Sequence, residues 1–109
     1  MAYEFKERDW KLFRKKLPGW QEAFMEKLIE EYTAILTDTN AKASAKFWEM
    51  DRRIRKDKEQ TGVMIISPSR RFLKLYIVQL CSEGAVTLDD LKDFSEELQE
   101  EIREYLQDL

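Results

Sequence analysis

Apolar side chains recur every three or four positions along most of the chain, the spacing that places them on one side of an α-helix. Turn-forming residues interrupt this pattern at Pro18-Gly19, Asp38-Thr39-Asn40, Thr61-Gly62, Ser67-Pro68 and Gly84. Strand-like alternation is confined to the short run 63–66. The pattern therefore predicts an all-α fold, a compact bundle of five to six helices in a single domain over residues 1–109.

The first two predicted helices are separated by Pro18. We expect the first over residues 3–17 and its end at Pro18, because the residue before a proline avoids helical backbone angles. The second follows to residue 36. Its apolar residues occupy one half of the helix, which is typical of a broad core-facing stripe. They are Trp20, Phe24, Met25, Leu28, Ile29, Tyr32, Ile35 and Leu36.

A third helix is predicted over residues 43–60, with Thr61-Gly62 as its end and a thin apolar stripe formed by Ala43, Phe47, Met50 and Ile54. A fourth is predicted to begin with Ser67 as its N-cap and Pro68 in its first turn. Apolar residues surround most of this fourth helix, so we expect it at the centre of the fold. Gly84 should end it with a left-handed cap.

Two capping signals follow Gly84. The sequence Thr87-Leu88-Asp89-Asp90 is typical of a capping box and predicts a short helix to Phe94. Ser95 is expected to cap the last helix. The apolar stripe of that helix is formed by Leu98, Ile102, Tyr105, Leu106 and Leu109.

The composition excludes several kinds of active site. The chain has no histidine, so the usual Ser-His-Asp and Cys-His nucleophiles are excluded. Its one cysteine, Cys81, permits no intrachain disulfide and no thiolate zinc site. With only three glycines, none near another, a P-loop or dinucleotide fingerprint is impossible. We predict no catalytic residues, no cofactor and no metal.

Charge is unevenly distributed along the chain. Residues 42–74 carry a net charge of +6 and residues 75–109 a net charge of −8. The basic segment predicts an interaction surface formed by Trp48, Arg52, Arg55, Arg70, Arg71 and Lys74. The competing interpretation is a solvated face in which interleaved carboxylates form helical ion pairs. Trp48 either projects beside Arg52 and Arg55 as an interface anchor or packs under a neighbouring helix.

Residues 77–91 have the order of a helix-turn-helix or winged-helix opening, with a helix, a glycine and a capped helix. The helix that would read DNA follows Phe94 and carries six carboxylates but only one arginine. Because phosphates would be repelled, an ordinary helix-packing unit is the favoured interpretation. The aspartate and glutamate side chains near residue 90 are better explained by the preference of carboxylates for helix N-termini than by a cation site. Their spacing matches no calcium-binding loop.

Cys81 lies among apolar residues of the predicted central helix, which favours a buried and unreactive thiol over a redox site. A single cysteine is typical of a reducing compartment, so we expect a cytoplasmic protein. The charged first residues are unlike a signal peptide. The longest apolar run, residues 72–80, is too short for a bilayer, so we expect no membrane association.

Three segments carry a resemblance to a known family. They are residues 18–28, Lys46-Phe47-Trp48-Glu49 with Arg52-Arg53-Ile54, and residues 84–91 with Phe94-Ser95-Glu96-Glu97-Leu98. The chain resembles a family of small bacterial all-helical proteins without an assigned activity, often labelled "multidrug transporter". The resemblance implies no chemistry, and the transporter label conflicts with the lack of a membrane-spanning stretch.

The sequence thus favours a non-enzymatic cytoplasmic protein that acts by binding another macromolecule. A protein partner or a second copy of the chain is the leading hypothesis. The alternative is a nucleic-acid-binding or transcription-regulatory protein that uses the basic segment 42–74. The sequence does not identify the partner.

Overall fold

The computed structural model describes residues 6–65 and 67–108, and three quarters of these are helical, without a strand among them. Five α-helices follow one another as α1 (Glu7–Leu36), α2 (Ala43–Asp57), α3 (Thr61–Met64), α4 (Leu73–Ser82) and α5 (Glu96–Gln107). Two 3₁₀ turns, Arg70–Phe72 and Asp89–Leu91, precede α4 and α5. The predicted all-α fold is confirmed.

The first helix continues through Pro18, so the prediction of two helices separated there is wrong. A proline inside a helix removes one hydrogen bond and costs about 3 kcal/mol. Tertiary packing outweighs this cost, because buried residues lie on the same side both before and after Pro18: Trp10, Phe13, Leu17, Phe24 and Leu28. The 30-residue helix spans about 45 Å and forms the long axis of a molecule that measures 54 × 27 × 22 Å.

The main core lies around the first half of α1. Its residues come from α1, α4, α5 and the segment between the last two helices: Trp10, Phe13, Leu17, Leu73, Ile77, Val78, Leu80, Val86, Leu91, Phe94, Leu98 and Ile102. No side chain of α2 belongs to it. Ile77 and Leu80 are fully buried, which agrees with the predicted central position of α4. Leu75 is 44% exposed, however, so α4 is not enclosed on every side.

The helix ends between residues 57 and 73 differ from those predicted. Helix α2 ends at Asp57, and Thr61 and Gly62 begin α3 instead of ending α2. The reason is tertiary, because the Glu83 carboxylate accepts hydrogen bonds from the backbone N–H groups of both residues, at 2.9 and 3.1 Å.

Helix α4 begins at Leu73, with Phe72 as its N-cap, and not at Ser67-Pro68. Gln21 in the middle of α1 donates a hydrogen bond to the carbonyl of Ile65, whereas Arg70 pairs with Glu7 at the start of α1. These two contacts place the chain between α3 and the 3₁₀ turn alongside the first half of α1.

The capping predictions after α4 are confirmed. Gly84 has a φ of +82°, the left-handed conformation that glycine adopts without strain. Thr87 and Asp90 form the reciprocal hydrogen bonds of a capping box, although only a 3₁₀ turn follows. The Ser95 hydroxyl accepts a hydrogen bond from the N–H of Leu98 and caps α5. The predicted stripe residue Leu109 and the predicted helical residues 3–5 lie outside the described residues.

Candidate functional site

Helix α2 folds back along the second half of α1, and the two helices form a hairpin that extends beyond the main core. Two polar contacts join the C-terminal part of α1 to the C-terminal part of α2. The Tyr32 hydroxyl donates to the Asp57 carboxylate at 2.6 Å, and Arg53 pairs with Glu31 at 2.9 Å. Burial and the hydrogen bond to Asp57 raise the pKa of Tyr32 to about 12. The hairpin therefore depends on hydrogen-bonded charges as well as on apolar packing.

Large apolar side chains of the hairpin are exposed. Ile29 is 58% exposed, Phe47 65% and Ile54 47%, and Leu36 is also exposed. The sequence pattern placed Ile29 and Leu36 in a core-facing stripe, and for these two residues that prediction is wrong. The physical reason is that α1 extends past α4 and α5. Its second half packs against α2, and the ring of Phe24 lies against Gly62 of α3, but neither element covers Ile29 or Leu36.

The exposed apolar residues share one face with the half-buried Met25. On α1, Met25, Ile29 and Leu36 fall within about 40° of helix rotation, and on α2, Phe47 and Ile54 are seven residues apart, or within about 20°. A shallow cavity of about 170 Å³ joins the two helices on this side. Its lining includes Met25, Ile29, Ile54, Lys58 and Val63. We call Met25, Ile29, Leu36, Phe47 and Ile54 the hairpin face.

Trp48 borders the hairpin face. Its indole packs edge-on against the ring of Phe47, with the ring centroids 5.0 Å apart, and the side chain is 65% exposed. This exposure agrees with the interpretation of Trp48 as an anchor and not with packing under a neighbouring helix. Arg52 and Arg55 follow at spacings of four and seven residues, so they lie on the same side of α2 as Trp48.

The two helices of the hairpin carry opposite net charges. Between residues 21 and 36, α1 has four glutamates and one lysine, a net charge of −3. Helix α2 has five cations and three carboxylates, a net charge of +2. The hairpin face thus lies between an acidic helix and a basic one.

The structure divides the predicted basic surface between distant parts of the molecule. Trp48, Arg52 and Arg55 lie on α2, beside the second half of α1. Arg70 pairs with Glu7 at the start of α1, at 2.8 Å. Glu7 and the hairpin residue Glu31 are 24 positions apart on α1, or about 36 Å. Arg71 adjoins Arg70 in the 3₁₀ turn, and Lys74 lies on the first turn of α4.

Most cations of the predicted surface have local partners. Arg52 pairs with Glu49, and Arg55 pairs with Asp51 at 3.2 Å. Lys74 lies 3.4 Å from a carboxylate oxygen of Glu101. The Arg71 guanidinium lies 5.0 Å from the centre of the Phe72 ring. The interpretation of the basic segment as helical ion pairs therefore agrees with these contacts better than a continuous basic patch does.

Cys81 is half-buried on α4, whereas the sequence predicted a buried thiol. Burial, together with the nearby Asp90 carboxylate, raises the pKa of Cys81 to about 11. A thiol with so high a pKa is a weak nucleophile near neutral pH. Within the described residues, no group of three or more metal-ligating side chains could hold a metal ion. None of the described helices is long and apolar enough to cross a bilayer.

The sequence pattern missed the exposed face because hydrophobic periodicity does not show which element covers an apolar stripe. One signal was present, the contrast between the broad stripe of residues 20–36 and the thin stripe of α2. A thin stripe cannot cover a broad one, so part of the broad stripe stays open. The sequence alone could have indicated in this way that part of the stripe is exposed, and the structure identifies Ile29 and Leu36 as that part.

No family model matches this chain, and neither does any curated protein or solved structure. The family resemblance seen in the sequence therefore stays a prediction.

Proposed function

We propose that this chain is a non-enzymatic, cytoplasmic protein that acts by binding another protein through the hairpin face and Trp48. The observation that carries the proposal is the exposure of Ile29, Leu36, Phe47, Trp48 and Ile54 on a single helical hairpin. Isolated exposed apolar residues are ordinary, but a contiguous group of this kind marks an interaction surface.

The composition of the hairpin face supports a protein partner. Large aromatic side chains and arginine supply most of the binding energy at protein interfaces. Phe47 and Trp48 supply the aromatic rings, and Arg52 and Arg55 lie on the same side of α2 as Trp48. Both helices have defined backbones, so binding needs little ordering of the chain.

A nucleic-acid partner is the second candidate, and the contacts of the basic segment favour it less. Nucleic-acid affinity needs several cations close enough to follow one phosphate backbone. Arg52 and Arg70 lie near opposite ends of α1, and each pairs with a carboxylate. A salt titration with single-stranded RNA would detect such binding by a steep loss of affinity as salt rises.

The test of the proposal is affinity capture from native lysate with the wild-type chain and matched variants. Phe47→Ala and Trp48→Ala each remove an exposed aromatic ring, and Leu75→Ala removes a comparably exposed side chain on α4, away from the hairpin. We expect captured partners to be depleted about tenfold or more by the hairpin variants. We expect no depletion by Leu75→Ala. Equal capture by all four proteins would contradict the proposal.

A further inference from the structure

We propose that the occupant of the hairpin face is a second copy of this chain, packed hairpin to hairpin as a symmetric dimer. The inference rests on the proposed function and names the partner of the same surface. Two-helix hairpins with one open apolar face pair readily into four-helix bundles, because each covers the other's face. Two-fold dimers are the commonest symmetric assembly of soluble chains.

The charges of the hairpin select the arrangement of the two copies. Two-fold symmetry allows two face-to-face pairings. An axis across the hairpin places each α1 against the α1 of the partner, so that two helices of charge −3 meet. An axis along the hairpin places each α1 against the partner's α2, so that −3 meets +2. The second pairing is favoured, because like charges across an interface are unfavourable and opposite charges attract.

Unpaired charges at the edges of the face fit this pairing. Glu22, three positions before Met25, and Glu26, three positions before Ile29, border the α1 side. Lys58 follows Ile54 by four positions and borders the α2 side. None of these three residues forms an ion pair within the part of the chain that the structure describes, and all three are exposed. In the dimer, Glu26 of one copy would lie near Lys58 of the other.

The dimer also explains which side of the hairpin is apolar. The same cavity between α1 and α2 is lined by Met25, Ile29 and Ile54 and bordered by Lys58. A second copy would place its own Ile29 and Ile54 over this cavity, because a two-fold axis makes the same residues meet from both sides. Apolar burial would then supply affinity, and the charged edges would set the register.

Sedimentation equilibrium of the full chain is the first test. We expect a monomer–dimer equilibrium, with dimerisation weakened at least about tenfold by Ile54→Asp and unchanged by Leu75→Asp. Both positions are exposed in the monomer, so folding, checked by circular dichroism, should be retained in each variant. A wild-type chain that stays monomeric up to about 1 mM at low salt would overturn the inference.

Charge reversal is the second test and separates the two pairings. Glu26→Lys or Lys58→Glu alone should weaken the dimer by about threefold to tenfold, because each reversal occurs twice in a symmetric interface. The double variant Glu26→Lys with Lys58→Glu should recover wild-type affinity. A double variant no tighter than the singles would show that α1 does not face the partner's α2.

Disulfide trapping provides a direct geometric readout. In a Cys81→Ser background, a chain carrying Glu26→Cys is mixed with a chain carrying Lys58→Cys. Oxidation should yield the mixed disulfide in preference to either like pair. A preference for the Glu26→Cys homodimer would contradict the arrangement.

These results are distinguishable from a failure of the proposed function. If the chain is a monomer but captures another protein, and Phe47→Ala abolishes that capture, the dimer is overturned and the protein-binding proposal stands. A dimer abolished by Ile54→Asp, with no hairpin-dependent capture of other proteins, would identify the second copy as the partner. A monomer with no hairpin-dependent capture would overturn both.

Discussion

Asp9, in the first turn of α1, is fully buried and holds Ser95, the residue that caps α5, 86 positions later in the chain. Its Oδ1 accepts a hydrogen bond from the Ser95 N–H at 2.8 Å, and its Oδ2 accepts one from the Ser95 hydroxyl. The same hydroxyl oxygen accepts the N–H of Leu98. The start of α1 and the start of α5 are therefore joined by one buried hydrogen-bonded group.

The Asp9–Ser95 contact predicts a large effect of Asp9→Ala. The substitution leaves the Ser95 N–H buried without its partner, and losing hydrogen bonds to a charged group costs about 2–3 kcal/mol. The free energy of unfolding from urea titration should fall by this amount. Asp89→Ala, which removes an exposed carboxylate, is the control and should change it little. Equal effects of the two substitutions would show that the buried contact does not stabilise the fold.

Leu80→Ala should destabilise the chain by about 2–5 kcal/mol, the usual cost of a cavity at a buried leucine. Leu80 has no exposed surface and lies in the main core. Leu75→Ala, on the same helix at a position 44% exposed, should cost well under half as much. Urea midpoints measured at one temperature compare the two, and an unchanged midpoint for Leu80→Ala would contradict the central position of α4.

Two glycine-to-alanine substitutions should change the free energy of unfolding in opposite directions. A Cβ at Gly62 would lie 2.5 Å from Cδ2 of the buried Phe24 ring, so Gly62→Ala should destabilise by about 1–3 kcal/mol through overpacking. A Cβ at Gly19, inside α1, would meet nothing within 4 Å. Gly19→Ala should therefore stabilise by about 0.5–1 kcal/mol, because alanine favours the helix. Thermal unfolding curves would show both shifts, and a destabilising Gly19→Ala would argue against a continuous α1.

Cys81 should react slowly with thiol reagents, and its rate should rise with pH toward a midpoint near its pKa of about 11. The cause is burial, which favours the neutral thiol. The unfolded chain ionises near the ordinary value of 9.0, so the unfolded state loses this proton first. The contribution of the Cys81 thiol to the free energy of unfolding is therefore fully present below about pH 9. It is lost as pH rises toward 11. Labelling at the rate of an unfolded control at pH 8 would contradict this environment.

Local chemistry determined several features of this protein directly in the sequence. Gly84, the Thr87–Asp90 pair and Ser95 all occupy the positions predicted for them, because a cap is formed by residues within a few positions of one another. The all-α class follows for the same reason, since helical periodicity is a property of each segment by itself.

Features that depend on a neighbouring element required the tertiary structure. Pro18 is a helix-breaking signal locally, yet packing on both sides of it keeps α1 continuous. Ile29 and Phe47 have the periodicity of core residues and are exposed, because periodicity identifies an apolar side of a helix but not whether another helix covers it. Arg52 and Arg70 belong to one basic segment of the sequence but lie near opposite ends of α1, because the chain between them runs back along that helix. The sequence thus determined the all-α class and the locally capped helix ends, and the packing along α1 decided which apolar and charged residues form a common surface.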